Sequence, residues 1–183
     1  MGRLVFFHGV VGAGKTLALL TKAHRYKQCE RNVLIVKPEL DTRVEKVIKS
    51  RSGLVSSYDY NISTVEDVLN IKLGETEIMF VDEVQFLSED VINALRDIAT
   101  ETEVTILCYG LKTDFKGRFF EGSKRILEIA DEINELNAVC FYCKENATMN
   151  LRIIDGNRVY EGDQILLGFD EYKGVCYKCY RRN

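Results

Sequence analysis

The stretch that most narrows what this chain can become is GVVGAGKT, Gly9 to Thr16, set directly behind the apolar run RLVFF. Three glycines within eight residues let the backbone turn so that successive N–H groups converge, forming an anion-binding nest. The run before it has the β-branched and aromatic content of a buried strand. Behind it, KTLALLTKAHRYKQC places Leu17, Leu20 and Ala23 at helical spacing. Strand, glycine-rich turn and helix thus match G-x-x-x-x-G-K-[ST] in the context its mechanism requires. The start of the helix adds its positive dipole end. A nucleoside triphosphate is expected here, cradled by Gly9, Val10, Val11, Gly12, Ala13 and Gly14. Lys15 then reaches the β and γ phosphates, and Thr16 sets its hydroxyl on Mg2+. The bland alternative, a glycine-rich turn capping an ordinary helix, does not need this whole arrangement.

A phosphate loop of this kind needs a carboxylate at the end of a neighbouring buried strand to hold the cation, and EIMFVDE supplies it. Side chains alternate along a strand, so Asp82 and Glu83 cannot both face one ion while the strand stays regular. Asp82, immediately behind the apolar run, is the expected Mg2+ partner. Glu83 is then the candidate general base, either orienting a water in an ATPase or taking a proton from a substrate hydroxyl in a kinase. Local sequence also allows it to cap the next helix or sit in solvent.

Beyond the first helix, NVLIVKP reads as a second strand, EIMFVDE as a third and EVTILCYGL as a fourth. EKVIKSRSGLVSSYDYN is expected to be a loop around a short helix. TVEDVLNI suits a helix with Thr64 as N-cap and Asp67 three residues on. SEDVINALRDIAT suits one with Ser88 as N-cap and acids in its first turn, and SKRILEIADEINEL another. This alternation predicts an α/β fold, a P-loop NTPase-type parallel sheet flanked by helices. Composition changes near residue 138. The last 45 residues lack a convincing helix and hold four of the six cysteines, so a unit 1–138 and a module 139–183 are expected.

Cys140-x-x-Cys143 and Cys176-x-x-Cys179 form two pairs with 32 residues between them. Four thiolates close a tetrahedral Zn2+ site, which leaves no position for substrate and is therefore structural. Such a staple suits a small module with little apolar mass. A thiol redox centre and an iron–sulfur cluster are the rival uses of these spacings. Cys108 reads as a small core residue of the fourth strand and Cys29 as the unassigned end of a helix. His8 and His24 carry no ligand pattern.

The net charge of −3 gives no general attraction to nucleic acid, and the only basic cluster, KCYRRN, is too short to form a binding surface. No run approaches the length of a membrane span, and the N-terminus lacks a signal-peptide core. A cytoplasmic protein with no nucleic-acid or membrane partner is expected.

The set GVVGAGKT, KPELDTR, FVDEVQF, YGLKTDFKGRFF, ELNAVCFYC and GFDEYKGVCYKCY, in that order, resembles the type II thymidine kinases over nearly the whole chain. The resemblance implies ATP-dependent phosphorylation of the thymidine 5′-hydroxyl, with deoxyuridine also accepted, in nucleoside salvage. It makes Glu83 the proton acceptor. It places Asp82 and Gln85 beside the phosphates, and Asp41, Thr42 and Arg43 near the transferred group. Phe86, Leu111, Phe115 and Phe120 become walls of the base pocket. The terminal module becomes a zinc-anchored lasso whose residues Asp163, Gln164, Ile165, Leu166 and Leu167 hold the base through backbone groups, with Tyr172 at the sugar. A homotetramer and feedback inhibition by thymidine triphosphate are further implications. Val10 and Val11 depart from the family's Pro-Met, and Val11 thereby changes the pocket near the base. The rival classes are a nucleic-acid-stimulated P-loop ATPase that binds through its zinc module, and a catalytically silent nucleotide-binding module.

Overall fold

The computed structural model describes residues 1–39, 47–164 and 171–182. Six strands form one sheet: β1 (Leu4–His8), β2 (Val33–Pro38), β5 (Tyr60–Ile62), β6 (Ile78–Val81), β7 (Thr105–Gly110) and β8 (Glu132–Glu135). Their order is β5-β2-β6-β7-β1-β8. Every neighbouring pair is parallel. The central strands are apolar on both faces, as a doubly covered parallel sheet requires: all four residues of β6 are buried. Helix α1 (Lys15–Gln28) packs Leu19, Leu20 and Ala23 on one face with Ile35, Phe80 and Tyr109. Helices α2 (Val65–Leu69), α3 (Glu89–Glu101) and α4 (Glu121–Ile129) cover the other, where Val91, Ile92, Leu95 and Ile126 meet Leu4, Phe6 and Ile106.

Both helix starts expected from sequence are present. Thr64 Oγ1 accepts the Asp67 N–H while Asp67 Oδ2 accepts the Thr64 N–H, a reciprocal cap. Ser88 Oγ accepts the Val91 N–H. Each cap stabilises its helix by roughly 1 kcal/mol. Cys108 is fully buried in β7, and burial pushes its thiol up; Cys29 ends α1 in solvent. His24 is exposed on α1, whereas His8 is buried in β1, and that burial, then Lys112, lowers its pKa.

Three expectations are corrected. The stretch after Pro38 carries no short helix among its described residues. It forms an antiparallel hairpin, β3 (Val47–Lys49) with β4 (Val55–Ser57), before β5 joins the main sheet. The β-branched Ile48 is buried against the α1 face, which favours strand over helix. The helix read through Leu136 stops at Ile129, and residues 132–135 become β8, pairing with the otherwise open edge of β1. Asp131 fixes the switch, its Oδ2 accepting the Leu4 N–H and the Arg96 guanidinium. Finally, β6 is not the immediate neighbour of β1, because β7 lies between them.

The terminal region builds a second sheet from β9 (Met149–Ile154), β10 (Asn157–Val159) and β11 (Glu171–Val175), all antiparallel, in the order β10-β9-β11. It also carries a short helix, α5 (Tyr177–Arg181), that sequence did not announce. Its core joins Leu151, Ile153, Val175 and Tyr180 to Val10 of the phosphate loop, so the small sheet is packed directly onto the large one's loops. Among the described residues no helix is long and apolar enough to cross a membrane.

Candidate active site

Residues 9–14 form the turn between β1 and α1, and Lys15 and Thr16 open the helix. Gly12 and Gly14 both have positive φ, 85° and 76°, which a side chain would strain. Gly14 is the N-cap of α1 and no side-chain hydrogen bond caps the helix start, which leaves first-turn N–H groups available to an anion. A cavity of about 400 Å3 opens there, lined by Gly12, Lys15, Thr16, Arg51, Glu83 and Leu111. Lys15 is buried, its Nζ donating to the Gly9 and Val10 carbonyls at 3.2 and 3.1 Å. Burial lowers its pKa; Glu83 and then Asp82 oppose the shift, and Arg51 adds to it.

Asp82 lies 3% exposed just beyond β6. Its Oδ2 accepts the Thr16 hydroxyl at 2.9 Å, while Oδ1 is buried with no hydrogen-bond partner. Burial first, and then the adjacent Glu83, push this carboxyl up to about 7; the Thr16 hydroxyl and Lys15 pull the other way. An orphaned carboxylate oxygen beside a threonine hydroxyl, behind a phosphate nest, fits a divalent cation, whose charge would keep the carboxylate ionised.

Glu83 does not continue the strand. Its φ of 49° and ψ of 37° are left-handed, and a short 3-10 turn, Val84–Phe86, follows. Strand alternation therefore ends at Val81, and the backbone turn at Glu83 separates the two carboxylates. Glu83 is half-buried, lines the phosphate cavity, and accepts a hydrogen bond on Oε2 from Gln85 Nε2 at 2.6 Å. Phe86 meets Phe120 edge to face at 5.9 Å. Leu111 follows β7 at the cavity wall, and the buried Phe115 lies under the Arg152 guanidinium, 4.9 Å from ring centre to Cζ. Tyr172 approaches the same guanidinium at 5.9 Å. The Asp163 carbonyl accepts from Arg152 Nη1, and Gln164 Nε2 donates to Asp114 Oδ2 at 3.0 Å. Asp41, Thr42, Arg43, Ile165, Leu166 and Leu167 lie outside the described residues.

Several residues of this arrangement were missed from sequence. Asn150 accepts the Val11 N–H on Oδ1 at 2.8 Å and donates Nδ2 to the Thr113 carbonyl at 2.7 Å, tying β9 to both the phosphate loop and the turn after β7. Arg152, only 1% exposed, is the most buried cation described, yet in MNLRII it reads as an ordinary polar strand position. Alternation does put Asn150 and Arg152 on one face, which was the available signal. Arg51 rides on the hairpin turn, held over the cavity because the buried Ser50 donates to the Leu54 carbonyl and accepts its N–H. Exposed and cationic, Arg51 suits a phosphate contact. Arg51→Ala is expected to weaken ATP binding by about two- to fivefold, the scale of a solvated ion pair, with the loss shrinking at high salt. Calorimetric titration at two ionic strengths checks it.

The four sulfurs of Cys140, Cys143, Cys176 and Cys179 lie within 4.8 Å of one another, and none is in a disulfide. Four thiolates about 2.3 Å from one Zn2+ stand roughly 3.8 Å apart, so this cluster fits that ion. Although burial works against ionisation, the N–H groups of Cys143, Cys176 and Tyr142 around the Cys140 sulfur bring its thiol down to about 6.

A parallel sheet with a glycine-rich loop between β1 and α1, Thr16 hydrogen-bonded to a buried Asp82 and a carboxylate over the cavity is the arrangement of a P-loop nucleotide-binding enzyme of the α/β class. The sequence profile described as "Thymidine kinase" matches residues 2–180. Thymidine kinase of Enterococcus faecalis is 40% identical across 98% of this chain and 95% of its own length. That of Enterobacteria phage T4 is 40% identical across 97% and 95%, and that of Encephalitozoon cuniculi 39% across 98% and 87%. The chain belongs to the thymidine kinase family.

Proposed function

We propose that this protein transfers the γ-phosphate of ATP to the 5′-hydroxyl of thymidine, and of deoxyuridine, giving the nucleoside monophosphate for salvage. The observation that carries the reading is Glu83 held half-buried over the cavity that Lys15 and Thr16 also line, in a chain of this family. The backbone of Gly9 to Gly14 and the Lys15 ammonium hold the phosphates, with Asp41, Thr42 and Arg43 completing that side. Glu83 accepts the hydroxyl proton as the sugar oxygen bonds to the γ-phosphorus and the β–γ bridge leaves with ADP. Mg2+ held by Thr16 and Asp82 would neutralise charge on the β and γ oxygens.

Phe86, Leu111, Phe115, Phe120 and Tyr172, with the backbone of residues 163–167, form the nucleoside side. Residues 139–183 act as one zinc-anchored module closing over the substrate, which excludes water and favours transfer over hydrolysis. The working form is a cytoplasmic homotetramer, and thymidine triphosphate acts as a feedback inhibitor.

Labelled ATP offered with a panel of nucleosides, with and without DNA, tests the reading. Labelled thymidine and deoxyuridine monophosphates are expected, with little label on purine nucleosides. Label appearing only as free phosphate, and only with DNA, would mean a nucleic-acid-stimulated ATPase instead.

A further inference from the structure

We infer that Gln85 is a positioning residue that aims Glu83 at the acceptor hydroxyl, an inference that rests on Glu83 being the base. Glu83 sits in a backbone region that costs a residue with a side chain roughly 1–2 kcal/mol, so its place beyond β6 must be enforced by its surroundings. Gln85, two residues on and only 2% exposed, supplies the enforcement. Its Oε1 accepts the Leu111 N–H at 3.0 Å. A backbone N–H can only donate, so this bond fixes which end of the amide is oxygen and turns Nε2 toward Glu83 Oε2, 2.6 Å away.

The clasp reaches across the sheet. Leu111 directly follows β7, the strand beside β6, so the base is referenced to a second strand rather than left to its own rotamers. Gly110 makes room for it: a Cβ there would lie 2.6 Å from Gln85 Oε1 and 2.8 Å from Val84 Cγ1. With both ends of the amide engaged inside the protein, Gln85 acts on the reaction through Glu83.

Two substitutions and one double-mutant cycle test this. Gln85→Leu removes both bonds. Gln85→Glu keeps an acceptor for Leu111 and sets a second carboxylate against Glu83 in place of the donor, so it disturbs Glu83 while sparing the bond to the end of β7. Both are expected to lower kcat by about 10²-fold, the scale of a reacting group misplaced by about 1 Å, with KM for ATP and thymidine within about threefold of the parent. On a Glu83→Gln background, Gln85→Leu should change kcat by less than about twofold, because the group it positions no longer acts. Wild-type kcat in Gln85→Glu, or an equal further loss on the Glu83→Gln background, would overturn the inference. Glu83→Gln alone reports separately on the base: if it retains full kcat, the underlying assignment fails and the positioning role falls with it.

Discussion

Replacing Glu83 by glutamine is expected to lower kcat by about 10²-fold or more while ATP binding stays near normal, the usual scale for losing a general base. The substitution is isosteric, and its amide oxygen can still accept from Gln85 Nε2, so the turn after β6 keeps its packing. What disappears is the capacity to take a proton at the edge of the phosphate cavity. Lys15, Thr16 and Asp82 are untouched, and the triphosphate keeps its cradle. Single-turnover transfer from labelled ATP, beside equilibrium ATP binding, separates the two effects. An unchanged kcat would remove Glu83 from the role.

The second large effect is expected from the cysteine cluster. Cys176→Ser leaves three thiolates for an ion that needs four ligands, and should reduce bound zinc from about one per chain to a small fraction of that. The small sheet shares its core with Val10 and reaches the Val11 N–H through Asn150, so its loss loosens the phosphate loop's outer wall as well as the nucleoside side. Phosphorylation should fall by more than about 10²-fold, since structural zinc supplies folding energy to modules of this size. Chelator-stripped parent protein should lose activity likewise and regain it with added zinc. A metal-free protein of full activity would contradict the structural role.

What could be read from the residues alone was uneven, for physical reasons. The glycine-rich loop, the caps at Thr64 and Ser88 and the two Cys-x-x-Cys pairs are written in residues of fixed spacing, and the fold shows the caps, brings the four cysteines together and sets Asp82 against Thr16. Residues 132–135 show the opposite case. Their apolar spacing continues a helix, but the open edge of β1 offers backbone partners that local propensity cannot register. The hairpin carrying Arg51 was hidden similarly, because the burial of Ile48 against α1 exists only once the sheet is formed. At the site itself, strand alternation suggested that Asp82 and Glu83 diverge. The left-handed turn at Glu83 and its clasp to Leu111 through Gln85 involve contacts 26 residues apart, which no pattern in VDEVQF displays. Arg152 and Asn150 went unread because a polar residue in a strand announces solvent by default.

Transfer to a nucleoside and transfer to water are distinguished by the ratio of ADP released to thymidine monophosphate formed in one reaction. For a nucleoside kinase, one ADP is expected for each thymidine monophosphate, with almost no ADP when thymidine is left out. ADP released at the same rate with or without thymidine would contradict it.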